Sequence, residues 1–148
     1  LRSRGVAVGK IQVSSCLELR DGSALDALLA FDEPRYLHQT AGDGGRLRAK
    51  DLGEVRARRG DDPAAGVVRT HFHVPVFWGD AGALGSTRDH VVRALRELTT
   101  PVPLLEVETY TWSVLGDAWR DGIDLPAAIA RELRFVREAI AGRNAGYR

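Results

Sequence analysis

Methionine is absent from this 148-residue chain, cysteine occurs once, and of 21 basic residues only Lys10 and Lys50 are lysines. A single cysteine, Cys16, excludes an intramolecular disulfide and any Cys-x-x-Cys metal motif, so a reducing, cytoplasmic compartment is expected. No apolar run approaches the roughly 20 residues of a membrane-spanning helix. The opening Leu1-Arg2-Ser3-Arg4 leads towards a strand-like segment and not into a signal peptide. A formal net charge of +1, with arginines scattered among 20 acidic residues, leaves no basic stripe for nucleic acid. The missing methionine, and a strand beginning a few residues from position 1, create the expectation that the chain is part of a larger protein.

What is present is the mixture of an ordinary globular domain, 44% hydrophobic and 28% charged, in a chain long enough to build a sizeable core. Four strand-like segments, at 6–14, 35–40, 67–77 and 104–114, alternate with four helical ones. The helices are expected at about 23–30, 49–59 and 86–98, and from Leu125-Pro126 onward, with Ser23, Ser86 and Thr87 as candidate caps. Pro126 suits a first helical turn, and Ala127, Ile129, Leu133, Val136 and Ile140 form the expected apolar face. The glycine groups Gly42-Gly44-Gly45 and Gly79-Gly82-Gly85 match no phosphate-binding motif and read as loop tips. The order β-α-β-α-β-α-β-α predicts four parallel βα units joined by right-handed crossovers, with no linker long enough to divide the chain.

Strand side chains alternate between faces. In VVRTHFHVPVF, Thr70, Phe72, Val74 and Val76 oppose Arg69, His71 and His73. In LLEVETYTWSV, Leu105, Val107, Thr109 and Thr111 oppose Glu106, Glu108, Tyr110 and Trp112. Lys10 and Gln12 oppose Ile11 and Val13, and His38 and Thr40 oppose Leu37 and Gln39. A parallel strand covered on both sides is normally almost wholly apolar. Here one face of each strand carries ionisable groups, whose unpaired burial costs several kcal/mol each, of the order given for buried polar and charged groups. They must pair, bind a ligand or metal, or line a wet cavity. A barrel interior opening at the strand ends supplies such a cavity. Four strands cannot close a barrel. The expected fold is therefore the C-terminal half of a (β/α)8 TIM barrel, its edges covered by the N-terminal half of the same barrel or by a second copy.

Several side chains on the polar faces suit chemistry. Imidazoles two apart, His71 and His73, suit ligation of Zn, Mn, Fe or Co, contact with substrate, or hydrogen bonds to neighbouring strands. Two carboxylates on one face, Glu106 and Glu108, push one pKa up, which suits a general acid or base; Glu106 alternatively pairs with Lys10 or Arg69. Lys10 suits a carboxylate or a substrate phosphate, and Gln12 can orient a hydroxyl. Tyr110 and Trp112 offer an apolar wall to a small ligand. His38 stands late in its strand, near the expected mouth.

The stretches VGKIQVSS at 8–15, YLHQT at 36–40, HFHVPVF at 71–77, LEVETYTW at 105–112 and ARELRFVRE at 130–138 resemble the C-terminal half of the EboE-type metabolite-traffic proteins, which belong with the xylose-isomerase-like sugar-phosphate isomerase/epimerase barrels. The resemblance implies strands five to eight of that barrel and a divalent metal (Mn, Zn, Co or Fe) held at successive strand ends by Glu, Asp, His and Glu. On that pattern Gln12 stands where an Asp is expected, His38 is the His, Glu108 is the final Glu, and His73 is a further ligand. It implies a small-molecule metabolite as partner. Catalysis would fall to Glu108 and His73, and substrate binding to Lys10, Gln12, His71, Tyr110 and Trp112. Three functions are open: a metal-dependent isomerase or epimerase, a metabolite-binding or traffic protein without turnover, and a metal-dependent phosphodiesterase, against which the balanced charge argues.

Overall fold

The strand expected at 6–14 forms only over residues 10–13, and an unexpected second strand, in a different sheet, follows directly after Ser14. In the computed structural model, which describes residues 4–20, 22–43, 47–58, 66–80, 82–98, 102–108, 110–120 and 122–142, β1 is Lys10–Val13 and β2 is Ser15–Leu19. The remaining strands are β3 (Thr40–Gly42), β4 (Arg48–Ala49), β5 (Val68–Val74), β6 (Leu84–Ser86) and β7 (Leu104–Val107). The α-helices are α1 (Leu25–Leu29), α2 (Leu52–Ala57), α3 (Arg88–Glu97) and α4 (Leu125–Ala141). The chain divides into two units. One comprises residues 1–15, 75–77 and 88–148; the other comprises residues 16–74 and 78–87.

The first unit holds a two-stranded parallel sheet, β1 beside β7, in the register Lys10 with Leu104 to Val13 with Val107. Its apolar faces pack on α3 and α4 through Val13, Val76, Leu95, Val136 and Ala139. Helix α4 begins as the sequence predicts: the Asp124 carboxylate accepts from the Ala127 amide at 2.9 Å, and Pro126 sits in the first turn. Its buried stripe is rotated from the expected one. Ala128, Glu132, Val136 and Ala139 face inward, while Ala127 is exposed and Leu133 keeps 46% of its surface. The charge of Glu132 hides this i, i+4, i+8 stripe in the sequence.

The second unit is a five-stranded sheet in the order β4-β3-β5-β2-β6. The pairs β3–β4, β3–β5 and β2–β6 are antiparallel. Its core gathers Leu17, Leu19, Leu28, Leu52 and Phe72 at 1% exposure or less, with Phe31 edge-on to Phe72 at 5.0 Å between centroids. Burying a side chain the size of Phe72 stabilises by about 1.5–3 kcal/mol.

This architecture overturns four parallel βα units and the half-barrel drawn from them. The sheets are one five-stranded antiparallel and one two-stranded parallel. Parallel neighbours need a crossover of a dozen residues or more, whereas short connections favour antiparallel pairing. Only a few residues separate β3 from β4, and they pair antiparallel. Of the expected strand 35–40, only Thr40 belongs to a strand, where it opens β3. The expected helix start at Ser86 belongs instead to β6; the Ser86 hydroxyl donates to the Trp78 carbonyl at 2.7 Å, and Thr87 Oγ1 accepts from the Cys16 amide at 3.0 Å. The strand expected to run to Val114 stops at Val107 and is followed by a 3-10 turn, Tyr110–Ser113. The Ser23 side chain, Gly44, Gly45, Arg59 and Thr109 lie outside the described residues. Among the described residues no helix is long and apolar enough to cross a membrane.

Candidate functional site on the polar face of the five-stranded sheet

Strand β5 does alternate as its sequence predicts, and this positions the polar groups of the second unit. Thr70 opposes Thr40 in the β3–β5 register, and their hydroxyls meet at 3.0 Å on the buried face. Continuing that register, Gln39 falls opposite His71, whose amide donates to the Gln39 carbonyl at 2.8 Å, and His38 falls opposite Phe72, whose ring it stacks on at 5.5 Å. His38 and Phe72 therefore occupy the buried face, and Arg69, His71 and His73 the other.

On that second face the His71 and His73 Nε2 atoms lie 2.7 Å apart, with ring centroids at 4.7 Å. Gln39 Oε1 stands 3.0 Å from His71 Nδ1. With that oxygen as acceptor, His71 carries its proton on Nδ1, and its Nε2 accepts the Nε2–H of His73. Burial, and then the neighbouring His71, push the His73 pKa down to about 4, so His73 is neutral at physiological pH. His71 is exposed and His73 buried, so one imidazole meets solvent and the other holds it from behind.

The same face carries a chain of alternating charge. Arg69 donates to Asp43 and to Glu18, each at 2.9 Å. Glu18 accepts from Arg20 at 3.0 Å, and Arg20 donates to Asp80 at 2.8 Å. Glu18 is the anchor of the chain, with only 9% of its side chain exposed. Cys16, half-buried, has its thiol pushed up by burial, partly offset by the Thr87 hydrogen bond and the Arg69 charge. Its thiol stays protonated and is a poor nucleophile.

The other predicted residues lie in the first unit. Lys10 is held by Glu106 at 2.8 Å with both side chains about half exposed, the ion pair that the sequence offered as one alternative for both. Gln12 is exposed on β1 and borders a groove of about 150 Å³ whose walls include Ile11, Val91 and Leu98. Glu108 is half-buried just past β7. Tyr110 and Trp112 are half-buried on the 3-10 turn, not on a strand face, and Arg120 lies over the Trp112 ring at 5.9 Å.

Of the metal ligand set implied by the resemblance, His38, His73 and Glu108, the two histidines occupy opposite faces of the five-stranded sheet and so do not share a centre; Glu108 is a residue of the first unit. His71 and His73, in contrast, are brought together as their spacing of two predicts. Sequence reasoning missed Glu18 and Glu132. Glu18 sits in the alternating SCLEL stretch, where a second polar-facing position was legible.

Comparison of the chain with family models, with curated proteins and with solved structures finds no match.

Proposed function

We propose that the protein handles a small polar metabolite on the polar face of the five-stranded sheet, with His71 as the acid–base group and His73 as the residue that positions it. The 2.7 Å contact between the two Nε2 atoms carries this reading. His71 Nε2 takes up a proton only when it parts from the His73 Nε2–H, so the strength of that contact sets how readily His71 acts as a base. Arg69, beside the pair on the same face, keeps Nη2 outside its bonds to Glu18 and Asp43 and can donate from it to an oxygen of the ligand. Proton transfer next to a bound carbonyl or hydroxyl is the step of an isomerase or epimerase. The likeness of HFHVPVF and LEVETYTW to metabolite-traffic proteins supports the small-molecule class.

A second reading, binding without turnover, has its own support. Both His71 ring nitrogens are already engaged, Nδ1 with Gln39 and Nε2 with His73, so neither stands open to a substrate proton. One experiment separates the two. The protein is incubated in D2O with a panel of sugar phosphates and followed by proton NMR, with binding measured in parallel by calorimetry. The enzyme reading expects solvent deuterium in one substrate, loss of exchange in His71→Gln, and a displaced pH profile in His73→Gln. Binding of a panel member without deuterium uptake selects the traffic reading. Binding and exchange both untouched in His71→Gln would overturn the site itself.

A further inference from the structure

On the buried side of the second unit, His38 is 1% exposed and its two ring nitrogens are treated differently. Nδ1 lies 3.2 Å from Asp51 Oδ1. The same oxygen accepts the His38 amide at 3.0 Å and the Leu52 amide at 2.8 Å, so Asp51 caps α2 and clamps the chain at His38 together. Nε2 is fully buried, with Glu33 Oε1 in front of it at 3.4 Å. A neutral imidazole has one N–H to give; with it on Nε2, the Nδ1 lone pair faces the Asp51 carboxylate. A lone pair facing a carboxylate oxygen is repulsive unless something positive lies between them.

The surrounding groups fit a cation. One ligand atom from each of Asp32, His38 and Asp51 lies within 4.8 Å of the others. Arg56 binds Asp32 through Oδ2, at 3.2 and 3.3 Å, and the bonds to Asp51 all fall on Oδ1. Asp32 Oδ1 and Asp51 Oδ2 lie outside those bonds. Arg56 offsets one of the three carboxylate charges of Asp32, Glu33 and Asp51. An ion with bonds of about 2.1 Å and a tetrahedral angle sets its ligand atoms about 3.4 Å apart. The Nδ1 to Asp51 oxygen distance, 3.2 Å, is close to that edge. Glu33, on the Nε2 side of the ring, then makes the carboxylate–histidine arrangement that orients an imidazole ligand.

We propose that Asp32, His38 and Asp51, with Glu33 beside them, form a structural site for a divalent transition cation, Zn2+ by preference, which ties the loop at 32–38 to the N-terminus of α2. One imidazole and several carboxylates make a donor set suited to zinc or manganese. The site is independent of the metabolite face, from which it is separated by the sheet.

The test uses the full chain stripped with EDTA, titrated with ZnCl2 by calorimetry and melted with and without the ion. One equivalent of zinc and a raised melting temperature are expected. Asp32→Asn and Asp51→Asn, the latter keeping a capping side chain, each weaken binding tenfold or more. A His71→Ala/His73→Ala double variant keeps the full equivalent. Absence of both heat and thermal shift at 1 mM zinc overturns the proposal. So does binding that survives in Asp32→Asn and disappears in the double histidine variant, which assigns the ion to the other face.

Discussion

The Glu132 carboxyl accepts the Val76 amide at 2.9 Å through Oε1, while its Oε2 is buried without a hydrogen bond and the residue is 0% exposed. Burial raises its pKa from 4.5 to about 7, only partly opposed by the Val76 N–H. The folded state therefore holds this proton more tightly than the unfolded chain does. The resulting stability is complete below about pH 4.5 and is lost as the pH rises through 7. Glu132→Gln keeps the acceptor and removes the ionisation. It should stabilise the protein at pH 8 by about 2 kcal/mol and change little at pH 4, as read by urea denaturation at the two pH values.

His73 acts with the opposite sign. Its folded pKa, lowered to about 4 from 6.5, means that the unfolded chain binds the proton more readily. This contribution is present above pH 6.5 and is lost as the pH falls towards 4. Carbon-detected histidine NMR should show the His73 ring neutral from pH 8 down to pH 5. In His73→Gln the acid limb of the stability profile should become flatter. A His73 ring that titrates near pH 6.5 would refute both expectations.

The two groups of ion pairs differ in depth, and their variants should separate. Arg69→Met leaves Glu18, 9% exposed, with Arg20 alone and should cost about 1–3 kcal/mol in chemical denaturation. Lys10→Met breaks a pair that is half in water and should cost less than about 1 kcal/mol. Added salt should narrow the Lys10 effect further.

Phe72 packs edge-on with Phe31 and stacks with His38. Phe72→Ala should cost about 3–5 kcal/mol. It should also loosen the seat of His38, and the zinc affinity of the folded variant should fall with it. Equal affinity in wild type and variant would show that the ring does not position the imidazole.

The parts of the fold legible in the sequence are those governed by neighbours. The alternation that puts Arg69, His71 and His73 on one face of β5 needs only the pleat, and the start of α4 needs only Asp124 and Pro126. The orientation of β3 and the separation of β1 from β2 at Ser14 depend on partners far along the chain, which periodicity does not reveal. Asp32 and Asp51 were hidden for another reason. In FDEP and KDLGE they look like turn and cap residues, and Asp51 is indeed a cap; its second contact, with His38, is made across 13 residues. Glu132 was concealed by its charge, since a carboxylate in mid-helix ordinarily marks the solvent face.

The sheet of the first unit joins distant parts of the chain: Lys10 and Glu106 are 96 residues apart, with the whole five-stranded unit between them. A chain made from its N-terminus therefore exposes β1 long before β7 exists, whereas every strand of the inserted unit is available once residue 87 has emerged. Loop closure costs more entropy the longer the free segment, so prior collapse of the insert shortens the effective loop that β1 and β7 must close. The topology thus implies an order of events, inner unit before outer, and makes β1 the strand that waits longest with an open edge.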